Sequence, residues 1–80
     1  MRMTVEIKWA AVTGASGYRI SWSTGESEER ALYLPKDTLA LSLNVEIPPG
    51  KPVHFMMQPY DAAANLSQTK KTVATAYVAG

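Results

Sequence analysis

Few side chains in this sequence have the chemistry to serve as acid, base, nucleophile or metal ligand, and their placement argues against catalysis. His54 is the one histidine. It falls on the polar side of an alternating run whose other side is Val53, Phe55 and Met57, which is the place of a surface or cross-strand residue rather than a general base. There is no cysteine, hence no thiolate nucleophile, disulfide framework or thiolate zinc site. Glu26, Glu28, Glu29 and Asp61 lack the spacing of a calcium cage and sit on separate loops. Gly14 and Gly17 bracket a loop with no helix behind it, so they form no phosphate cradle. Asn65, Leu66 and Ser67 spell a glycosylation sequon, but the same segment reads as a structural loop. No catalytic residue, cofactor or metal site is therefore expected, and the chain is not expected to be an enzyme.

The charge balance excludes further classes. Eight basic and seven acidic residues give a formal charge of +1, and their scatter leaves no electrostatic footprint for nucleic acid or an anionic membrane. The basic pair Lys70 and Lys71 and the acidic group Glu26, Glu28 and Glu29 both read as solvated loop charges. Met1 to Lys8 is neither a charged segment with an apolar run behind it nor close to the roughly 20 apolar residues of a membrane span. As a whole gene product the chain would be made without a secretion signal; as an excised domain it would leave any leader on its parent. The compartment stays open.

The elements that must position any surface are strands. Eighty residues suffice for a single domain, spanning 1–80, with one modest core. Val5, Ile7 and Trp9 alternate with Thr4, Glu6 and Lys8, the period of a half-buried strand. Tyr18, Ile20 and Trp22 repeat the pattern, followed by a polar tip from Thr24 to Glu29. A short strand from Arg30 to Leu34 stops at Pro35. Leu39, Leu41, Leu43, Val45 and Ile47 make the cleanest alternation, closed by the turn Pro48, Pro49 and Gly50. Val53 to Gln58 is the next strand, ended by Pro59, and Thr72 to Val78 is the last. Each strand has one apolar face that another sheet must cover. The expected core is Val5, Ile7, Trp9, Tyr18, Ile20, Trp22, Leu41, Leu43, Val45, Ile47, Val53, Phe55, Met57 and Val73. At about 1.5 to 3 kcal/mol for each large side chain, burial must offset the conformational entropy lost on folding.

Four segments, in order and at matching spacing, resemble a fibronectin type III domain of the bacterial kind. The strand ending in Trp9 resembles that family's strand B, and VTGASGYRISWS resembles its B to C loop and strand C. IPPG at Ile47 to Gly50 resembles the turn before strand F, and PYDAAANLS the passage from F to G. The resemblance implies an all-β, two-sheet antiparallel immunoglobulin-like sandwich of about six strands. The chain departs from the family in three places. Met1 to Met3 leaves almost no room for strand A, Val53 stands where the family has its corner tyrosine, and Pro59 and Ala64 replace an alanine and a glycine.

Without strand A, the sheet holding the first strand ends in that strand, whose unpaired amides and carbonyls invite another strand. Against this, Glu6 and Lys8 are charges of the sort that oppose edge pairing. A second candidate surface consists of outward apolar residues: Met56, Tyr60 and, between core-facing Leu32 and Leu34, Tyr33. The implied function is a non-catalytic structural or protein-interaction module. Its partner would be itself or another assembly subunit, as in the head or tail of a phage particle. The alternative is a spacer or carbohydrate-binding accessory domain of a secreted bacterial enzyme, which would need coplanar exposed aromatics from Tyr33, Tyr60 and Tyr77.

Overall fold

A computed structural model of the chain describes residues 1–24 and 29–80. The expectations for Glu26 and Glu28 lie outside the described residues. The fold is all-β, in two antiparallel sheets. Its six strands are β1 (Arg2–Lys8), β2 (Gly17–Trp22), β3 (Arg30–Pro35), β4 (Ala40–Glu46), β5 (Val53–Tyr60) and β6 (Lys71–Ala76). One sheet holds only β1 and β4; the other has the order β3-β2-β5-β6. A two-stranded sheet therefore covers a four-stranded one.

Alternation fixes the registers, because a slip of one residue would turn every apolar side chain to solvent. In the smaller sheet Val5 faces Leu43 and Ile7 faces Leu41. In the larger sheet Ile20 lies between Leu32 of β3 and Met57 of β5. Val5, Ile7, Trp9, Tyr18, Ile20, Trp22, Val45, Ile47, Val53, Phe55, Met57 and Ala76 form the buried core. Two aromatic pairs brace it. Trp9 meets Tyr18 edge-on with centroids 5.8 Å apart, and Trp22 lies 5.5 Å from Phe55. The Tyr18 hydroxyl accepts a hydrogen bond from the Val12 N–H at 3.0 Å, so a core residue also ties down the loop between β1 and β2.

The two sheets are stacked off-centre. β1 packs against β6, while Asn44, Val45 and Glu46 of β4 share a cavity wall with Trp22 and Arg30. β4 thus lies toward β2 and β3, and the free edge of β1 is on the same side as the free edge of β6.

This offset corrects several expectations. Leu41 and Leu43 are only half-buried, because β4 is itself an edge. Leu32 is 36% exposed, since the smaller sheet does not reach fully over β3. Leu39 lies before β4, also exposed, and its carbonyl accepts from the Trp9 N–H at 3.0 Å. Val73 is half-buried at a bulge where Phe55 pairs with Ala74 but Met56 pairs with Thr72, and Ala76 fills the core instead. β1 spans Arg2 to Lys8, beginning before Thr4 and ending before Trp9. Pro59 does not end β5. Its carbonyl accepts from the Ser67 N–H and so points toward the β6 side, and its missing N–H falls on that side too, beyond the last β6 pairing at Met57 and Lys71. A proline is tolerated where no ladder partner waits.

After β5, Asp61 organises the next loop. Its Oδ1 accepts from the N–H groups of Ala63 and Asn65, each at 2.9 Å, and these bonds hold its pKa below the ordinary 3.8. The turn forces Ala64 to φ 65°, a left-handed conformation costing a residue with a β-carbon about 1 to 2 kcal/mol. Glycine removes that strain but adds unfolded-state entropy worth about 0.4 to 1 kcal/mol. Ala64→Gly is expected to raise stability by up to about 1.6 kcal/mol in urea unfolding; a loss of stability would contradict the strain argument.

Candidate functional site

Among the groups that this fold leaves unpaired are alternate backbone donors and acceptors of β1, an edge strand. Successive residues of a strand send their N–H and C=O groups to opposite sides. At one end the Trp9 N–H donates to the Leu39 carbonyl at 3.0 Å, and at the other the Ile47 N–H donates to the Met1 carbonyl at 2.9 Å. The odd-numbered residues of this stretch therefore bond to β4. Arg2, Thr4, Glu6 and Lys8 present their N–H and C=O groups to the free edge, where no strand among the described residues pairs with them. Their side chains are exposed, while Val5 and Ile7 are anchored in the core.

Off the Lys8 end of this strand, between the two sheets, lies a cavity of about 580 Å³ lined by Trp9, Ala11, Val12, Met57, Pro59 and Val73 among others. Lys8 and Lys71 also line it, and no carboxylate does. The indole N–H of Trp9 is buried without a hydrogen-bond partner. The other sheet edges are less inviting. β3 ends in Pro35, β6 carries the bulge at Val73, and on β4 the Asn44 carbonyl accepts from the Arg2 guanidinium at 3.3 Å. Prolines and bulges are devices that discourage edge pairing; β1 and β4 both lack them, and the two differ in that the Arg2 side chain lies against the Asn44 carbonyl of β4.

The expected surface residues fall on two separate surfaces. Glu6 and Lys8 lie on β1, whereas Tyr33, Met56 and Tyr60 lie on the outer face of the four-stranded sheet. Tyr33 is 63% exposed. Met56 is half-buried, and its sulfur accepts from the Thr72 hydroxyl at 3.2 Å. Tyr60 is half-buried too, because its ring lies across Gly17, where a β-carbon would run into the ring and the Leu34 carbonyl. Its hydroxyl donates to that carbonyl at 3.1 Å, so Tyr60 is a structural tie as much as a surface residue. Tyr33 and Tyr60 are 6.0 Å apart but tilted by 53°, which is not the coplanar platform a sugar would need. Trp9 and Trp22 are both buried.

Sequence reasoning missed Arg19, the centre of this outer face. Its guanidinium pairs with Glu29 at 2.6 Å, reaches Gln58 at 3.4 Å and lies 5.9 Å from the Tyr33 ring centroid. Glu29 is thus not a free loop charge. Its bond to Arg19 holds its pKa below the ordinary value, and Lys70 adds a further contact at 3.8 Å. The signal available was position alone, since Arg19 alternates outward between Tyr18 and Ile20. The cavity had no signal, because it forms between sheets.

His54 is exposed and contacts the Thr75 hydroxyl across the strand pair at 3.2 Å. Among the described residues no group of three or more His, Cys, Asp or Glu side chains could hold a metal ion. No family model matches this chain.

Tyr60→Phe removes one hydrogen bond and keeps the ring over Gly17. It is expected to cost about 0.5 to 1.5 kcal/mol in urea unfolding; an unchanged midpoint would show that the Leu34 bond contributes nothing.

Proposed function

We propose that this chain is a non-catalytic protein-interaction module, a fibronectin type III-like sandwich that accepts a strand from another protein chain along β1. The carrying observation is the free edge: Arg2, Thr4, Glu6 and Lys8 direct unpaired backbone donors and acceptors outward from a strand whose other face is fixed in the core. Strand addition gives affinity through main-chain hydrogen bonds, and neighbouring pockets give selectivity. The cavity at the Lys8 end of β1 is such a pocket, mainly apolar, with Lys8 and Lys71 in its lining.

The family reading draws support from two details. A pair of strands over a sheet of order β3-β2-β5-β6 suits a sandwich of that kind. Positive φ at Ala64 falls where the resembling motif carries glycine. A module that needs a neighbour to complete its sheet fits a subunit of a larger assembly, with a phage particle as one such setting. The sugar-binding reading is set aside on the tilt of Tyr33 against Tyr60.

The test is selection of extended peptides from a displayed library against the purified chain, with binding remeasured on Thr4→Pro. That substitution deletes an outward N–H and leaves the β4 ladder intact. Selected binders are expected to lose at least tenfold in affinity on the folded variant. Binders indifferent to Thr4→Pro and sensitive instead to Tyr33→Ala would overturn the reading.

A further inference from the structure

The charge order along the free edge says more about what it accepts. We infer that β1 pairs with β1 of a second copy, antiparallel, about a two-fold axis through Thr4. The inference rests on reading β1 as a strand-accepting edge and adds the identity of the strand.

Only Arg2, Thr4, Glu6 and Lys8 point their backbone groups outward, so two β1 strands can bond only in registers that set these residues against one another. Few such registers exist, and their charges differ. With the axis at Thr4, Arg2 of each copy lies opposite Glu6 of the other and Thr4 meets Thr4. Opposite charges and threonine pairs are both favourable cross-strand neighbours. On the inner face Met3, half-buried in the single chain, comes opposite Val5. With the axis at Val5, Arg2 opposes Lys8 twice. With the axis at Glu6, that carboxylate faces its own copy. Moving the axis to Ile7 sets Glu6 against Lys8 but shortens the strand overlap to the end of β1, and moving it to Met3 leaves Glu6 unmatched. The longest overlap free of like-charge pairs is the one centred on Thr4.

Forming it releases little. The bond from Arg2 to the Asn44 carbonyl is exposed and 3.3 Å long, and Glu6 has no ion-pair partner among the described residues. The same charges that keep β1 from pairing at random select one self-pairing register, which is discrimination by like-charge repulsion. The contact is isologous and closes on a dimer, joining the two β1 and β4 pairs into one continuous sheet.

The experiment is sedimentation equilibrium on the full chain, with Arg2→Glu, with Glu6→Arg, and with the two variants mixed, each checked for folding by circular dichroism. The unaltered chain is expected to dimerise. Either variant alone sets like charges opposite each other at both symmetry-related positions and is expected to weaken association about tenfold or more. In the mixture every facing pair is again opposite in sign, so heterodimers are expected to restore it. Association that both variants leave unchanged, or that mixing fails to restore, would overturn the register. A chain that stays monomeric at millimolar concentration would overturn self-pairing altogether. If it does so while selected peptides still bind in a manner sensitive to Thr4→Pro, the strand-accepting reading stands without it; if neither binds, both fall.

Discussion

A four-stranded sheet has to bury one apolar face, and among the described residues two strands cover it. Most other features of the molecule follow from that mismatch in width. β1 and β4 supply Val5, Ile7 and Val45 to the core, and Ile47 follows directly after β4. They cover the middle, where Tyr18, Ile20, Val53 and Phe55 are almost fully buried. Apolar burial at roughly 25 cal/mol per Å² makes this middle the main source of stability in a small domain. At the margins cover runs out, leaving Leu32 exposed on one side and Val73 half-buried on the other.

The two margins are managed differently. On the β3 side, side chains close the outer surface: Tyr60 crosses Gly17 to the Leu34 carbonyl, and Arg19 gathers Glu29, Gln58 and Tyr33. Proline at the end of β3 leaves a poor template for pairing. On the β1 side nothing comparable happens. The strand is regular, its outward backbone groups are unpaired among the described residues, and a mainly apolar cavity opens at its Lys8 end. On the proposed reading, a rigid core holding a free edge would be preorganised for association, since the edge strand would need no further ordering.

The strands and their facing were legible in the sequence because period-two alternation is a local signal. Val5, Ile7, Tyr18, Ile20, Val53 and Phe55 needed nothing more. How deeply each face is covered was not legible, since that depends on how many strands the opposing sheet contributes: Leu32, Leu41 and Leu43 alternate as cleanly as Val45 yet are less buried. Pro59 looked like a strand breaker, and only the place where β6 begins shows why it is not. Of the surface residues, Glu6 and Lys8 were legible as charges on the solvent face of a strand without a neighbour, and the structure places both exposed on β1. Arg19 and the cavity were not legible, because a pairing between β2 and a residue just before β3, or a space between two sheets, exists only after the strands have assembled.

The claim on which this account turns is that alternate amides of β1 face an open edge, and residue-resolved hydrogen exchange on dilute monomer tests it most directly. Met3, Val5 and Ile7, bonded to β4, are expected to be protected to nearly the global stability, while Arg2, Thr4, Glu6 and Lys8 exchange close to the unstructured rate. Uniform protection along β1 would mean that the edge is already covered, and would contradict the account.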